Sequence, residues 1–164
     1  MGLIATLLRA VPRSEWDGLQ LEEPAWEINS TGDRAKFLRT LPMLLPGGSY
    51  LYLEGTTEPS VERFLAARTV TNPERIAIGT IWPKPKRYHV PCTAELAEAL
   101  AQVLDAQASP YLSTHVHAYV VGKVLLEWHD AFETDPMRVS RDIDEAAVSA
   151  FAMALGKEYT RGGA

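Results

Sequence analysis

The stretch Tyr111–Pro136, YLSTHVHAYVVGKVLLEWHDAFETDP, decides the fold of this chain. Two runs rich in apolar, β-branched and aromatic residues, His115–Val121 and Val124–Trp128, flank the pair Gly122-Lys123. Glycine at the first position of a two-residue loop is typical of a type II′ turn, because that position requires a positive φ. The stretch therefore predicts a β-hairpin with a two-residue turn.

The turn also predicts which residues of the hairpin face each other. A loop of two residues sets His117 opposite Trp128 and His115 opposite Asp130. Side chains alternate along a strand, so these four residues are expected on one face and His129 on the other. Neither face of the hairpin is polar throughout, which is typical of strands that are covered on both sides. We therefore expect the hairpin at the centre of the sheet.

Helical and extended patterns alternate over the rest of the chain. Apolar spacing and capping residues predict helices from Thr31 or Asp33 to about Leu41, from Pro59 to about Arg68, from Thr93 to Ala106, and from Ser140 or Asp142 to Leu155. Strands are predicted at Ser49–Glu54, Arg75–Trp82 and Arg87–Val90, and a loop at residues 130–139. These elements predict a single α+β domain over residues 1–160, with a mixed or mostly antiparallel sheet whose central hairpin, about 115–129, is covered by helices. Residues 161–164 are expected to form a disordered tail.

Composition places the chain among ordinary globular proteins. It has 164 residues, of which 46% are hydrophobic and 23% are charged. The single cysteine, Cys92, excludes an intramolecular disulfide and a zinc site built from thiolates alone. No apolar run approaches the roughly 18 residues that a membrane-spanning helix needs. We expect a cytoplasmic protein that has no membrane partner and needs no cofactor or metal.

Acidic residues are concentrated between Glu127 and Glu145. This segment holds seven acids and two bases, so its net charge of −5 equals that of the whole chain. An acidic surface attracts cationic partners and repels phosphate backbones. The charge favours a small binding protein without catalysis, such as an immunity-protein-like or antitoxin-like inhibitor of a basic protein. It argues against nucleic acid as the partner.

Two groups of residues are predicted to bind that partner. The acidic group consists of Glu127, Asp130, Glu133 and Asp135. The second group begins at the last residue of the strand predicted at residues 75–82 and consists of Trp82, Lys84, Lys86 and Arg87. Cations mixed with aromatic rings also contact phosphates and stack on bases, so a nucleotide-binding surface is an alternative for the second group. A solvated loop stiffened by proline is the plainer explanation.

The alternative function is a small enzyme with a site at the end of the hairpin. His115 and His117 are expected on one strand face, and Asp130 can supply an oxygen ligand nearby. This is a partial ligand set for zinc or another divalent metal, so a metal-dependent hydrolase is one form of this alternative. Histidines with purely structural hydrogen bonds show the same spacing. His129 is a weaker candidate for acid–base catalysis, because it is expected to point away from Asp130.

Overall fold

The computed structural model describes residues 18–71, 73–77, 79–80 and 84–162. The helices in this part of the chain are α1 (Arg34–Leu44), α2 (Pro59–Ala66), α3 (Ala94–Asp105) and α4 (Glu145–Leu155). The strands are β1 (Ala25–Ile28), β2 (Tyr50–Glu54), β3 (Arg87–Pro91), β4 (His115–Val120), β5 (Lys123–Trp128), β6 (Met137–Ser140) and β7 (Tyr159–Thr160). Residues 1–17 of the predicted domain and residues 163–164 of the predicted tail lie outside the described residues.

The strands form one antiparallel sheet in the order β3-β2-β4-β5-β6-β1-β7. The sheet and the helices confirm the predicted α+β class, and the hairpin β4–β5 lies in the middle of the sheet as expected. None of the helices in the described ranges is long and apolar enough to cross a membrane.

The four helices share one hydrophobic core with one face of the sheet. Buried side chains recur at helical spacing, as Phe37, Leu38 and Leu41 do in α1. Alternate strand residues, such as Leu53 and Val116, complete the same core and are fully buried. Because strand side chains alternate, packing these apolar residues against the helices directs the residues between them to the opposite face.

Capping residues fix several helix ends as predicted. The Asp33 side chain accepts a hydrogen bond from the N–H of Lys36, and the Thr93 side chain accepts one from the N–H of Leu96. At the end of α4, Gly156 adopts the left-handed conformation with φ +67°.

Two predicted helix boundaries are wrong. Helix α1 passes through Pro42 and ends at Leu44, because the buried Leu44 side chain adds core contacts that offset the hydrogen bond proline cannot donate. Helix α4 begins after Asp144 instead of after Ser140 or Asp142. The reason is that residues 137–139, which are predicted to lie in a loop, and Ser140, a predicted helix cap, form strand β6 and pair with β1 and β5.

The strand predicted at Arg75–Trp82 is not found in the residues of this segment that the structure describes. Ile76 makes one parallel bridge with Leu19, and no named strand includes it. Residues 78 and 81–83, including Trp82, lie outside the described residues.

The observed register of the hairpin differs from the predicted one. Val120 pairs with Lys123, so the loop is Val121-Gly122, and the positive φ of +78° belongs to its second residue. Leu125 is an extra residue in β5, because Tyr119 pairs with Val124 whereas Ala118 pairs with Leu126. This is a β-bulge, which adds one residue to one strand of a pair.

In the observed register, the β5 residues beyond the bulge lie on the opposite face of the sheet from the one predicted relative to β4. His117 faces Glu127, and Val116 faces Trp128. Glu127 and His129 therefore share a face with His115 and His117, whereas the predicted register separated them.

Two segments cover the face of the sheet that lies opposite the helices. One lies around Leu19, and the other, which we call the covering segment, consists of residues 75–77 and 79–80. Leu19 donates its N–H to the carbonyl of Arg75 at 2.7 Å, and Ala77 donates to the carbonyl of Leu19 at 3.1 Å, which joins the two segments. Their side chains form a small apolar cluster with the sheet, made of Leu21, Ala25, Tyr52, Ile76, Tyr119 and Val124. The remaining residues of this face are mostly polar.

Candidate functional site

All four histidines of the chain lie on the face of the sheet that is opposite the helices. Tyr52 in β2 is the pairing partner of both His89 in β3 and His117 in β4, and His117 is the partner of Glu127 in β5. Cross-strand partners on one face have adjacent side chains. We call the following residues the histidine cluster: His89, His115, His117, His129, Tyr52, Tyr119, Glu54 and Glu127.

The rings of this cluster are in direct contact. The His117 ring stacks on Tyr52 with centroids 5.4 Å apart and planes inclined by 9°. The His129 ring meets His115 and His117 edge-on, at centroid distances of 5.2 and 4.9 Å. On the other side of Tyr52, the His89 ring lies 4.9 Å away. The cluster is therefore one continuous group of packed rings.

Hydrogen bonds from the backbone fix the protonation of two of these rings. Nδ1 of His115 accepts the N–H of Asp130 at 3.0 Å, and Nδ1 of His117 accepts the N–H of Trp128 at 3.2 Å. A nitrogen that accepts an N–H carries no proton, so both neutral rings have their hydrogen on Nε2. Nε2 of His115 lies 3.0 Å from Oγ1 of Thr80 and donates to it. Protonating either Nδ1 would set two N–H groups against each other.

Glu54 anchors the covering segment to the cluster. Its side chain is completely buried and accepts a hydrogen bond from the Tyr52 hydroxyl at 2.6 Å. It also accepts the N–H of Gly79 at 3.0 Å and the N–H of Thr80 at 2.5 Å. These bonds hold Thr80 over the histidines and orient the tyrosine on which His117 stacks.

The covering segment approaches the histidines most closely at Gly79. A Cβ atom at this position would lie 2.9 Å from Nε2 of His115 and 2.9 Å from Nδ1 of His129. Both distances are shorter than side-chain atoms tolerate, so any larger residue would displace the two rings. Glycine is needed here for close packing of backbone against imidazole.

His129 and Glu127 form the accessible part of the cluster. Nε2 of His129 lies 3.3 Å from Oε1 of Glu127, and the His129 side chain is 41% exposed whereas that of Glu127 is 15% exposed. Oε2 of Glu127 accepts the N–H of Leu21 at 3.1 Å, and Arg138 lies 3.7 Å from Oε1. The carboxylate is thus held in place by two elements, and the imidazole it contacts reaches solvent.

The pair has pKa shifts that favour its charged form. The hydrogen bond with Glu127 raises the pKa of His129 above its ordinary value, although partial burial opposes the shift. Burial alone would raise the pKa of Glu127, but hydrogen bonds from His129 and from the N–H of Leu21 outweigh it and lower that pKa. These two shifts widen the pH range over which a protonated imidazole lies beside an ionised carboxylate.

The pKa values of the other three histidines are lowered. Burial, with a smaller effect of His129, lowers the pKa of His117 to about 3. Burial and the nearby Arg87 lower the pKa of His89 to about 4. Burial also lowers the pKa of His115. These three rings are therefore neutral at physiological pH, and the cluster contains one titrating imidazole among fixed ones.

The predicted catalytic residues are only partly brought together. His115 and His117 are adjacent in the cluster, but the contact of Asp130 with His115 is made by its backbone N–H, and the Asp130 residue is exposed. Within the described ranges, no group of three or more His, Cys, Asp or Glu side chains could hold a metal ion. The partial metal site of the sequence prediction is not completed there.

The predicted partner-binding residues fall into separate places. Asp130, Glu133 and Asp135 are exposed on the loop between β5 and β6. Glu127 is not part of that surface, because its carboxylate is turned into the cluster. The exposed acidic loop therefore contains three of the four acidic residues that were predicted to bind the partner.

The basic group is also divided. Nζ of Lys86 pairs with Glu62 at 3.0 Å, and Arg87 is an exposed residue at the start of β3. Lys84 lines a cleft together with Glu62 and Lys86. Trp82 lies outside the described residues.

Sequence reasoning missed several members of the site. Glu54 was read only as the end of an apolar strand, YLYLE, although a carboxylate at alternate spacing from Tyr52 is a signal for a polar position on the second face. Thr80 and Gly79 carry no such signal, because their role depends on the fold of the covering segment.

No protein-family model, curated protein sequence or solved structure matches this chain.

Proposed function

We propose that this protein is a small enzyme that transfers a proton to or from a bound small molecule, with His129 as the acid–base group and Glu127 as its positioning residue. The observation that carries the proposal is the accessible His129 imidazole, 3.3 Å from the partly buried carboxylate of Glu127 and packed against two histidines that are held neutral. Groups in one site whose environments push their pKa values apart are typical of acid–base catalysis.

The cost of building the cluster supports a functional role. Glu54, His115 and His117 are each at least nine-tenths buried. Burying such groups is unfavourable even when they are hydrogen-bonded, and an apolar sheet face of similar shape would be as stable or more stable. Polar side chains that are buried at a cost in stability are expected at functional sites.

The neutral histidines have a specific use in this proposal. The rings of His115 and His117 confine the ring of His129 by edge contacts. Because backbone N–H groups occupy both Nδ1 atoms, these rings stay uncharged. A positive charge at either ring would lower the pKa of His129, so their neutrality preserves the rise in that pKa caused by Glu127.

A metabolite-depletion experiment tests the proposal. Wild-type protein, His129→Gln and the exposed control Glu158→Gln are each incubated with a small-molecule extract of the source organism, which is then profiled by mass spectrometry. Glutamine retains a donor toward Glu127 but cannot titrate. We expect wild type and control to convert the same compound, and His129→Gln to do so at least about 100-fold more slowly. An unchanged extract, or equal conversion by His129→Gln, would contradict the proposal.

A second candidate function is binding of a basic protein by the acidic loop, in the manner of an immunity protein or antitoxin. Asp130, Glu133 and Asp135 favour it, because all three are exposed on one short loop. Such a partner would bind with a salt-sensitive affinity.

Charge substitution tests this second candidate. Asp130 has a φ of +45°, which asparagine tolerates, so the informative variant is Asp130→Asn with Glu133→Lys and Asp135→Lys. We expect it to lose a basic partner that wild type retains from a lysate and releases at raised salt. If the variant retains the same partner at the same salt concentration, the acidic loop is not the binding surface.

A further inference from the structure

His115 bonds two separate segments of the chain, one through each ring nitrogen. Nδ1 accepts the N–H of Asp130, in the loop between β5 and β6, at 3.0 Å. Nε2 donates its hydrogen to Oγ1 of Thr80, in the covering segment, 3.0 Å away. A protonated imidazole donates from both nitrogens. The bond with Thr80 therefore survives protonation of the ring, whereas the bond with the N–H of Asp130 does not.

The backbone of Asp130 is held in a conformation that costs energy in any residue other than glycine. Its φ is +45°, in the left-handed region, where the Cβ atom crowds the following carbonyl oxygen. Aspartate tolerates this region better than most residues do. The bond from the N–H of Asp130 to the neutral ring of His115 supports the conformation. Residue 130 loses that support when His115 binds a proton.

The residues that follow Asp130 are anchored independently of His115. The N–H of Ala131 donates to the carbonyl of Thr114 at 2.8 Å. The Phe132 side chain is buried, and its ring packs against that of Trp128 with centroids 4.5 Å apart. A change at His115 therefore acts on Asp130 and leaves the two following residues attached to the sheet and the core.

Charged and titratable groups on three strands and their loops face His115. Burial has the largest effect on its pKa and lowers it below 6.5; Glu54 and Asp130 raise the pKa, and His129 lowers it. His117, two residues along β4, has a pKa of about 3 and adds no charge near neutral pH. The covering segment contacts the ring through a threonine, which is uncharged. His115 is therefore neutral at pH 7 and binds a proton in more acidic solution.

We propose that a proton taken up from solvent by Nδ1 of His115 switches the contact of Asp130 from its backbone N–H to its side-chain carboxylate. The new hydrogen on Nδ1 repels the N–H and attracts the carboxylate, so residue 130 leaves the left-handed conformation and turns its side chain toward the ring. In acid, the loop between β5 and β6 thereby loses one of its three exposed acidic groups. The switch does not depend on His129 being catalytic.

Nuclear magnetic resonance of the protein labelled with nitrogen-15 tests the switch between about pH 7.5 and pH 4.5. The ring nitrogens of His115 report its protonation, and hydrogen exchange reports the contact of the Asp130 amide. We expect the protection of this amide, relative to the intrinsic rate at each pH, to fall at least about tenfold as His115 gains its proton, with one shared midpoint below 6.5. The amides of Thr80 and Ala131 should keep their protection, because His115 is not their acceptor.

Three substitutions separate the switch from general unfolding in acid. His115→Asn places an amide oxygen where Nδ1 lies and cannot titrate, so the Asp130 amide should stay protected over the whole range. Asp130→Asn tolerates the positive φ but lacks the carboxylate, so His115 should titrate at a lower pH than in wild type. His89→Asn, on the other side of the histidine cluster, is the matched control and should leave the midpoint unchanged.

The wild-type protein and Asp130→Asn decide the outcome even if His115→Asn does not fold. The proposal is overturned if the Asp130 amide and the His115 ring change at different pH values, or if the Thr80 amide loses its protection together with that of Asp130. It is also overturned if His115 titrates at the same pH in Asp130→Asn as in wild type.

Discussion

Replacing Glu54 by leucine is expected to lower the free energy of unfolding by about 3 kcal/mol, because three donors lose their acceptor and leave groups that are costly to bury unbonded. These donors are the Tyr52 hydroxyl and the N–H groups of Gly79 and Thr80. The segment at residues 79–80 should then detach from the sheet and expose the histidine cluster. Urea denaturation measures the loss of stability, and hydrogen exchange of the two amides measures the detachment.

Two further substitutions give this prediction its controls. Glu54→Gln keeps the shape and one carbonyl acceptor, so its effect should be smaller than that of leucine. Glu98→Gln removes a carboxylate that bonds Arg39 at the surface, where such pairs contribute little. Equal stability of Glu54→Leu and wild type would show that Glu54 does not hold the covering segment.

Acid is expected to destabilise the protein well above the pH at which ordinary carboxylates protonate. Folding lowers the pKa of His117 from 6.5 to about 3, so the unfolded chain binds more protons at every pH between these values. The stability that the neutral ring contributes is complete above pH 6.5 and is lost as the pH falls. One fully buried group of this kind gives a loss on the order of 2 to 3 kcal/mol between about pH 7.5 and pH 4.5.

The neighbouring histidines also affect how the stability of the protein depends on pH. The lowered pKa values of His89 and His115 add to the loss in acid. The raised pKa of His129 acts oppositely, because its contribution is present below pH 6.5 and is lost as the pH rises through the folded value.

A substitution at His117 isolates its contribution. His117→Asn retains an acceptor for the N–H of Trp128 but cannot titrate, so the slope of stability against pH should fall by about 1.4 kcal/mol per pH unit between about pH 6 and pH 4.5. Denaturant unfolding at a series of pH values measures both slopes. An unchanged slope in the variant would mean that His117 is protonated in the folded state.

The fold could be predicted where local signals agree with tertiary packing. Thr93 caps α3 and Gly156 ends α4 because the signals at these ends are short-range. Strand β6 was missed because Met137–Ser140 has only four residues and follows an acidic loop, and its pairing with β1 depends on residues more than 100 positions away. Long-range pairing of this kind leaves little trace in a local pattern.

The site could be predicted only in part, and the hairpin shows why. His115 and His117 were selected correctly as neighbours, since residues two apart share a strand face. The predicted register places His129 on the wrong face because it lacks the bulge at Leu125. The earlier position of the turn shifts the pairing by two residues and leaves the faces unchanged. A shift of one residue exchanges the two faces of a strand, so one unforeseen bulge changed the composition of the site.

The protonation states of the four histidines are the most direct test of the histidine cluster as an acid–base site. The chain has only these four, so nitrogen-15 and proton resonances of the rings can be followed individually from about pH 4 to pH 8. We expect His129 to titrate above 6.5, His115 to titrate below 6.5, and His117 to remain neutral, with hydrogen on Nε2, to below pH 5. Four ordinary titrations near 6.5, or a neutral His129 at pH 6, would contradict the assignment of His129 as the acid–base group.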